Sequence, residues 1–279
     1  MYINSASSSA LYAAYAIKTA DVAVNRASER LSTGLRINSA ADDPSGLAKA
    51  NNIKTYLGSY TTSLSNINDG IAMNQIADKA LSAIYSTLSN MYTLAVSSYT
   101  ADATDDAALI TANQSAFESY QDEIDSLASS ATYNGRALLT SNSLSVSILA
   151  GVNSSDTIDL SFSNAQASAL GVATSNMIST PTAAGNAMDD IKDAMETISS
   201  YQAQVGAQEN ILQSRSDFIS SAIITNTQAY SNIMDANMAE ESANLASAMI
   251  KRDAATAMLS QANTMNANIV KYLLQAYGS

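Results

Sequence analysis

The chain has 279 residues, 47% hydrophobic but only 14% charged and 6% aromatic, with 50 Ala, 43 Ser and no Cys, His or Trp. Lacking His and Cys, it has no means to build a His-dependent triad, a thiol nucleophile, an ordinary zinc site or a disulfide framework; only carboxylate, Ser–Lys, Tyr or Lys chemistry survives, and as the acids lack calcium-loop spacing and the lysines a partner motif, no catalytic, metal or cofactor residues are expected. Net charge is −12, yet residues 1–79 are net +1 while residues 80–191 set Arg136 alone against eleven acids, a distribution without the basic cluster that nucleic acid requires.

The first 17 residues are uncharged and lack the basic start of a cleavable signal. Within them begins the sharpest pattern of the chain: Ile3, Ala6, Ala10, Ala13, Ile17, Ala20, Val24, Ala27 and Leu31 recur at alternating spacings of 3 and 4. This is a coiled-coil seam, on a helix of roughly 40 Å at 1.5 Å per residue. Gly34 interrupts it, and residues 36–43 carry no stripe. Asp43-Pro44 reads as an N-cap followed by proline at the first helical position. The second helix runs from there to about Val96, with Leu47, Ile53, Leu57, Tyr60, Leu64, Ile67 and Ile71 on one stripe. Ala77, Leu81, Ile84, Leu88, Met91 and Ala95 follow after a shift of heptad phase between Ile71 and Ala77. A loop at 99–106 leads to a shorter helix burying Leu109, Phe117, Tyr120, Ile124 and Leu127, and Asn134-Gly135 closes the helical region.

The period then changes to 2. Leu144, Val146 and Ile148 alternate with Ser, a turn follows, and Ile158, Leu160 and Phe162 alternate again, which predicts a β-hairpin. The Ser-, Thr- and Ala-rich remainder up to Gly185 is expected to be a loop, the one place for a decorative insertion. From 186 the stripe returns through Ile191, Ala194, Ile198, Val205, Leu212, Ile219 and Ile233. After a polar break expected at Glu240-Glu241 it resumes at Leu245, Ala248, Arg252, Ala255, Leu259, Ala262, Asn266, Ile269 and Leu273. The long uncharged stretches are too rich in Ser, Thr and Asn to sit in a membrane.

The expected fold is therefore mainly α: long antiparallel coiled-coil helices with one small β-hairpin region. Residues 1–42 and 240–279 would form an inner coiled-coil domain, and 43–239 a middle helical domain with its hairpin region at about 131–185 and no large outer insertion. Ala seams bury little area, so the terminal helices need further copies of the chain around them. The expected assembly seam is Ile3, Ala10, Ile17, Val24, Leu31, Leu245, Leu259, Ala262, Ile269 and Leu273. The acid pairs Asp42-Asp43, Asp189-Asp190 and Glu240-Glu241 read as helix-start or solvated groups, because adjacent residues on a helix do not face one another. Met234, Met238, Met249, Met258 and Met265 are expected to give the C-terminal helix adaptable neighbour contacts.

Residues 29–46 closely resemble the signature of bacterial flagellin, in particular Glu29, Arg30, Leu31, Gly34, Arg36, Ile37, Asn38, Asp42, Asp43 and Gly46. Further landmarks similar to that family are Asn66 to Gly70, Leu94-Ala95-Val96, Tyr133-Asn134-Gly135 to Leu139, Ile233 and Asp235 to Glu241, and Leu259 to Asn263. The resemblance implies a minimal, core-only subunit that polymerises with itself into the extracellular flagellar filament for swimming motility. It also implies export unfolded through the flagellar secretion apparatus without a cleaved signal, and partners in an export chaperone, a filament cap and hook-junction proteins. At the positions where receptor-sensed flagellins carry Arg and Glu, this chain has Asn90, Tyr92, Thr93 and Ala116, so innate-receptor recognition is not expected. The alternatives are a hook–filament junction protein and, in another class, a coiled-coil secretion or translocator-type binding protein.

Overall fold

The computed structural model describes residues 2–101, 106–173 and 177–277, and at 2–7, 273, 274, 276 and 277 it describes the backbone alone. Among the described residues there are five helices: α1 (Tyr2–Thr33), α2 (Pro44–Thr100), α3 (Ala107–Ser130), α4 (Pro181–Met234) and α5 (Met238–Tyr277). Between α3 and α4 lie two antiparallel two-stranded ribbons, β1 (Thr132–Tyr133) with β2 (Arg136–Ala137) and β3 (Leu144–Leu149) with β4 (Thr157–Phe162). The chain divides into two compact units, one of Met1–Thr55 with Thr225–Ser279, the other of Tyr56–Ile224. Among the described residues no helix is long and apolar enough to cross a membrane.

The second unit holds the thicker core. Phe117, Ile124, Leu81, Ile84, Leu88, Met91, Leu138, Leu139, Leu160 and Phe162 are all buried there, each contributing about 1.5–3 kcal/mol. On α2 the buried positions step through Ile67, Gly70, Asn74, Ala77, Leu81, Ile84, Leu88, Met91, Ala95 and Ser98 at spacings of 3 and 4. The phase shift expected between Ile71 and Ala77 is therefore absent. The seam passes there through a glycine and an amide, neither of which adds to an apolar pattern. On α3 it is Ile110, not Leu109, that faces inward, since Leu109 is 45% exposed.

The β3–β4 ribbon pairs Leu144 with Phe162, Val146 with Leu160 and Ile148 with Ile158. Period 2 thereby sets one apolar face against the helices. The Ile148 face sits close to α2: a Cβ at Gly70 would lie 3.0 Å from Ile148 Cδ1. Its turn is pinned twice, by Ser63 donating to the Gly151 carbonyl at 2.8 Å and by Arg215 Nε donating to the Ala150 carbonyl at 2.8 Å. In the tight β1–β2 turn, Asn134 and Gly135 both adopt positive φ, 49° and 77°, as a two-residue hairpin of this twist demands.

Two expectations fail on the far side of the hairpin. The segment after Phe162 is no decorative loop, because Ala165, Ala167, Leu170, Val172, Met177 and Ile178 are buried in the same core. Helix α4 begins at Pro181 rather than at 186, with Thr180 Oγ1 accepting from the Ala183 N–H at 3.2 Å. A threonine N-cap before proline repeats the Asp43-Pro44 logic, but in a Ser/Thr-rich stretch it does not stand out. Asp189-Asp190 consequently falls inside α4, where Asp189 lies 3.5 Å from Lys192.

Candidate assembly interface

In the first unit α1 and α5 pack side by side and antiparallel. The residues turned inward on α1 are Ala10, Ala13, Ile17, Ala20, Val24, Ala27 and Leu31, with Ala13, Ala20 and Ala27 only 4–5% exposed. On α5 they are Leu245, Ala248, Arg252, Ala255, Leu259, Ala262, Asn266 and Ile269. Alanines at every second seam position let the two backbones approach closely. The side chains of Ile3 and Leu273 lie outside the described residues.

Where the pair begins, the 29–46 motif acts as a set of fasteners. Arg30 Nη1 donates to Glu241 Oε1 at 2.9 Å, and the Glu241 side chain is 10% exposed. Gly34 ends α1 at φ 72°, with its N–H donating to the Arg30 carbonyl at 2.8 Å, a left-handed C-terminal stop open to glycine. Leu35 bridges Asp235. Around that bridge the Arg36 N–H donates to the Met234 carbonyl at 2.6 Å, the Ala236 N–H to the Gly34 carbonyl at 2.8 Å, and Arg36 Nη2 to the Ile233 carbonyl at 2.6 Å. Ile37, Ala50 and Met234 form a small core beneath. Met234 is thus packed inside the subunit, unlike Met238, Met249, Met258 and Met265, which are 40–67% exposed.

The remaining signature residues shape the connection. Asn38 Nδ2 donates to the Leu35 carbonyl at 3.2 Å. Asp42 Oδ2 accepts from the N–H groups of Asn38 and Ser39 at 3.2 and 3.0 Å, and chiefly the Ser39 N–H holds its carboxyl below the usual aspartate range. Asp43 Oδ1 accepts from the Gly46 N–H at 2.9 Å and caps α2; that bond likewise depresses the Asp43 carboxyl. Gly46 has no room for a side chain, since a Cβ would lie 2.8 Å from Ile37 Cδ1 and closer still to Asp43. Glu29 is exposed and Leu31 half-buried. The break expected at Glu240-Glu241 lies earlier, at 235–237, so both acids fall in the first turn of α5, and Asn237 Oδ1 caps α5 by accepting from the N–H of Ala239 at 3.1 Å. The Arg30–Glu241 pair was not visible in the sequence, because its partners are 211 residues apart.

The outer surface of the helix pair carries large apolar side chains. Leu11, Tyr12, Tyr15 and Val22 on α1 are 52–78% exposed, as are Ile250, Met258, Val270 and Tyr272 on α5 at 55–73%. One flank forms a groove of about 650 Å³ with alanines along its floor and Arg26, Arg30, Glu241, Lys251 and Met258 at its sides.

Comparison with known proteins identifies the family. The profile of the bacterial flagellin N-terminal helical region matches residues 3–143, and that of the bacterial flagellin C-terminal helical region residues 188–273. Flagellin of Halalkalibacterium halodurans is 31% identical over 89% of this chain and 91% of its own. The flagellar filament 33 kDa core protein of Treponema phagedenis is 28% identical over 95% of this chain and 97% of its own. A solved structure described as a flagellar hook-associated protein from Vibrio parahaemolyticus superposes with a TM-score of 0.55 at 16% identity, over 70% of this chain and all of that one, and speaks for the fold alone. The two profile matches and the near full-length relatives place this chain in the bacterial flagellin family.

Proposed function

We propose that this chain is the structural subunit of a bacterial flagellar filament and that its terminal helices α1 and α5 make the contacts between copies. The observation that carries this is the row of half- to three-quarters-exposed apolar side chains on both helices, Leu11, Tyr15 and Val22 on one and Ile250, Met258 and Tyr272 on the other. Large apolar side chains exposed in this number mark interaction sites. An Ala-lined seam adds only about 0.8 kcal/mol per buried methyl against about 1–2 kcal/mol of backbone entropy per ordered residue, so cover from other copies stabilises the pair. Heterologous contacts that do not close generate a helical polymer, and the work of such a polymer is mechanical. The exposed Met238, Met249, Met258 and Met265 suit contacts that differ slightly among identical copies.

The same reading places the assembled polymer outside the cell and has the chain reach it unfolded, handled by an export chaperone, with cap and hook-junction proteins meeting it at the ends. Near full-length similarity to flagellins favours a filament subunit over a junction protein.

The experiment is seeded growth. Purified chain added to sonicated fragments of its own polymer lengthens them, seen by electron microscopy, and chain lacking 1–31 and 245–279 does not. A full-length chain that stays monomeric by sedimentation in the presence of seeds overturns the reading, and one that binds seed ends without propagating marks a junction protein.

A further inference from the structure

The β3–β4 ribbon has two flanks, and they are not equally covered. The Ala150 N–H donates to the Asp156 carbonyl at 2.8 Å, which fixes the phase of the ladder. In this register Val146–Leu160 and Ile148–Ile158 are the hydrogen-bonded pairs, while Thr157, Asp159 and Ser161 turn their N–H and C=O groups outward. Two side-chain bonds agree with that phase. Asn66 of α2 donates to the outward Leu149 carbonyl of β3 at 3.3 Å, and Gln208 of α4 to the outward Ser161 carbonyl of β4 at 3.0 Å. Apart from Gln208 the β4 flank is open: both backbone groups of Thr157 and of Asp159, and the N–H of Ser161, meet no partner among the described residues.

Exposed strand edges are ordinarily blunted by Lys, Pro, a bulge or a covering element. Residues 157–162 contain neither Lys nor Pro, and their register runs without a bulge. Beside them lies a groove of about 680 Å³, with Thr157 and Ile158 on the β4 side and Ile211, Ser214, Arg215 and Phe218 on the α4 side. Ile211 and Phe218 are 55% and 57% exposed. Arg215 is held there by its Nε on the Ala150 carbonyl at 2.8 Å and by the Phe218 ring 5.4 Å away, and it takes part in no ion pair among the described residues.

We propose that the β4 edge and this groove take an extended segment of a partner protein as a third strand. Free N–H and C=O groups on every second residue are satisfied together by another strand, whereas a helix has spent its own. A strand about 4.8 Å from β4 turns alternate side chains toward the Ile158 face and over Ile211 and Phe218. The partner segment is therefore apolar at residues two apart, with an acid at the end that meets Arg215.

The probe is a library of end-blocked octapeptides that alternate Thr with Val, Leu, Phe or Glu, titrated into unassembled full-length chain by fluorescence anisotropy. Each binder is compared with two copies of itself, one N-methylated on the Thr amides and one on the others. An added strand is hydrogen-bonded along one edge only, so one methylation is expected to abolish binding and the other to spare it. Amide exchange at Thr157, Asp159 and Ser161 is expected to slow by about tenfold or more in the complex. Thr157→Pro removes an edge N–H but no ladder bond, and Phe218→Ser strips the exposed ring from the groove; each should weaken binding several-fold while circular dichroism melts show the fold kept. A library with no saturating member, or binding that both methylated copies retain, overturns the proposal. Protection of the same amides in chain alone, growing with its concentration, also overturns it, because the occupant is then a second copy.

Discussion

Arg30 of α1 donates to Glu241 of α5 across 2.9 Å, with the acid 10% and the arginine 23% exposed. Arg30 Nε is buried beside it with no partner, so the pair fixes orientation at some cost in unsatisfied polarity. Truncating the acid would strand a half-buried guanidinium. Glu241→Ala is expected to destabilise the α1–α5 pair by about 1–3 kcal/mol, and Glu241→Gln by less, in denaturant titrations of unassembled chain followed by helical circular dichroism. Equal loss from both substitutions would show that the hydrogen bond contributes little once the charge is gone.

The capped starts of α2 and α4 make a paired test. Asp43→Ala and Thr180→Ala each remove an acceptor from a first-turn N–H, and each is expected to cost about 1 kcal/mol. Thermal unfolding of the two variants measures this. Asp43→Asn keeps an acceptor and should recover most of the loss.

Glycines separate by what surrounds them. Gly206 in α4 and Gly58 in α2 have no neighbour within 4 Å of a built Cβ, so Gly206→Ala and Gly58→Ala should each raise stability by up to about 1 kcal/mol through helix propensity. Gly46→Ala collides with Ile37 and the Asp43 cap and is expected to destabilise. Unfolding midpoints that rank Gly46→Ala with the other two would contradict the tight elbow.

Acid should loosen the fold at named places. Asp42, Asp43 and Asp156 are held below the ordinary aspartate value of 3.8, first by the backbone N–H groups of Ser39, Gly46 and Asn153 respectively. A carboxyl with a depressed folded-state pKa stabilises fully above its unfolded value, and that contribution fades as pH falls through the folded value. The melting temperature of unassembled chain should therefore drop below about pH 3.8. Asp42→Asn, Asp43→Asn and Asp156→Asn, which cannot titrate, should flatten that drop.

How far these features were readable depended on whether their signal was local. The α1 stripe stands out because apolar residues recur at every step of 3 and 4, and the α5 stripe because only Arg252 and Asn266 interrupt the same spacing. The α2 seam through Gly70 and Asn74 did not, since a buried glycine and a buried amide carry no apolar mark and are selected by the close approach of Ile148 and by α4: Asn74 Nδ2 donates to the Val205 carbonyl at 3.4 Å. Leu109 and Ile110 are neighbours of equal hydrophobicity, and only tertiary packing chooses between them. The start of α4 was legible in Thr180-Pro181 but was hidden by Ser/Thr-rich surroundings. The fasteners of residues 29–46 gain their meaning from residues 233–241, which no local pattern connects to them.

That separation orders the chain's folding. The bonds that close the first unit join residues about 200 apart, Arg36 to Ile233 and Arg30 to Glu241, whereas the core of the second unit is drawn wholly from residues 56–224. A chain emerging from its N-terminus must hold α1 in solvent until the last segment arrives, since non-local contacts pay their loop-closure cost before they are rewarded. A Leu-rich waiting helix would expose the kind of surface on which folding intermediates aggregate. Ala13, Ala20 and Ala27 keep the seam's share of that interim surface small, trading strength in the finished pair for less exposed apolar area before it forms.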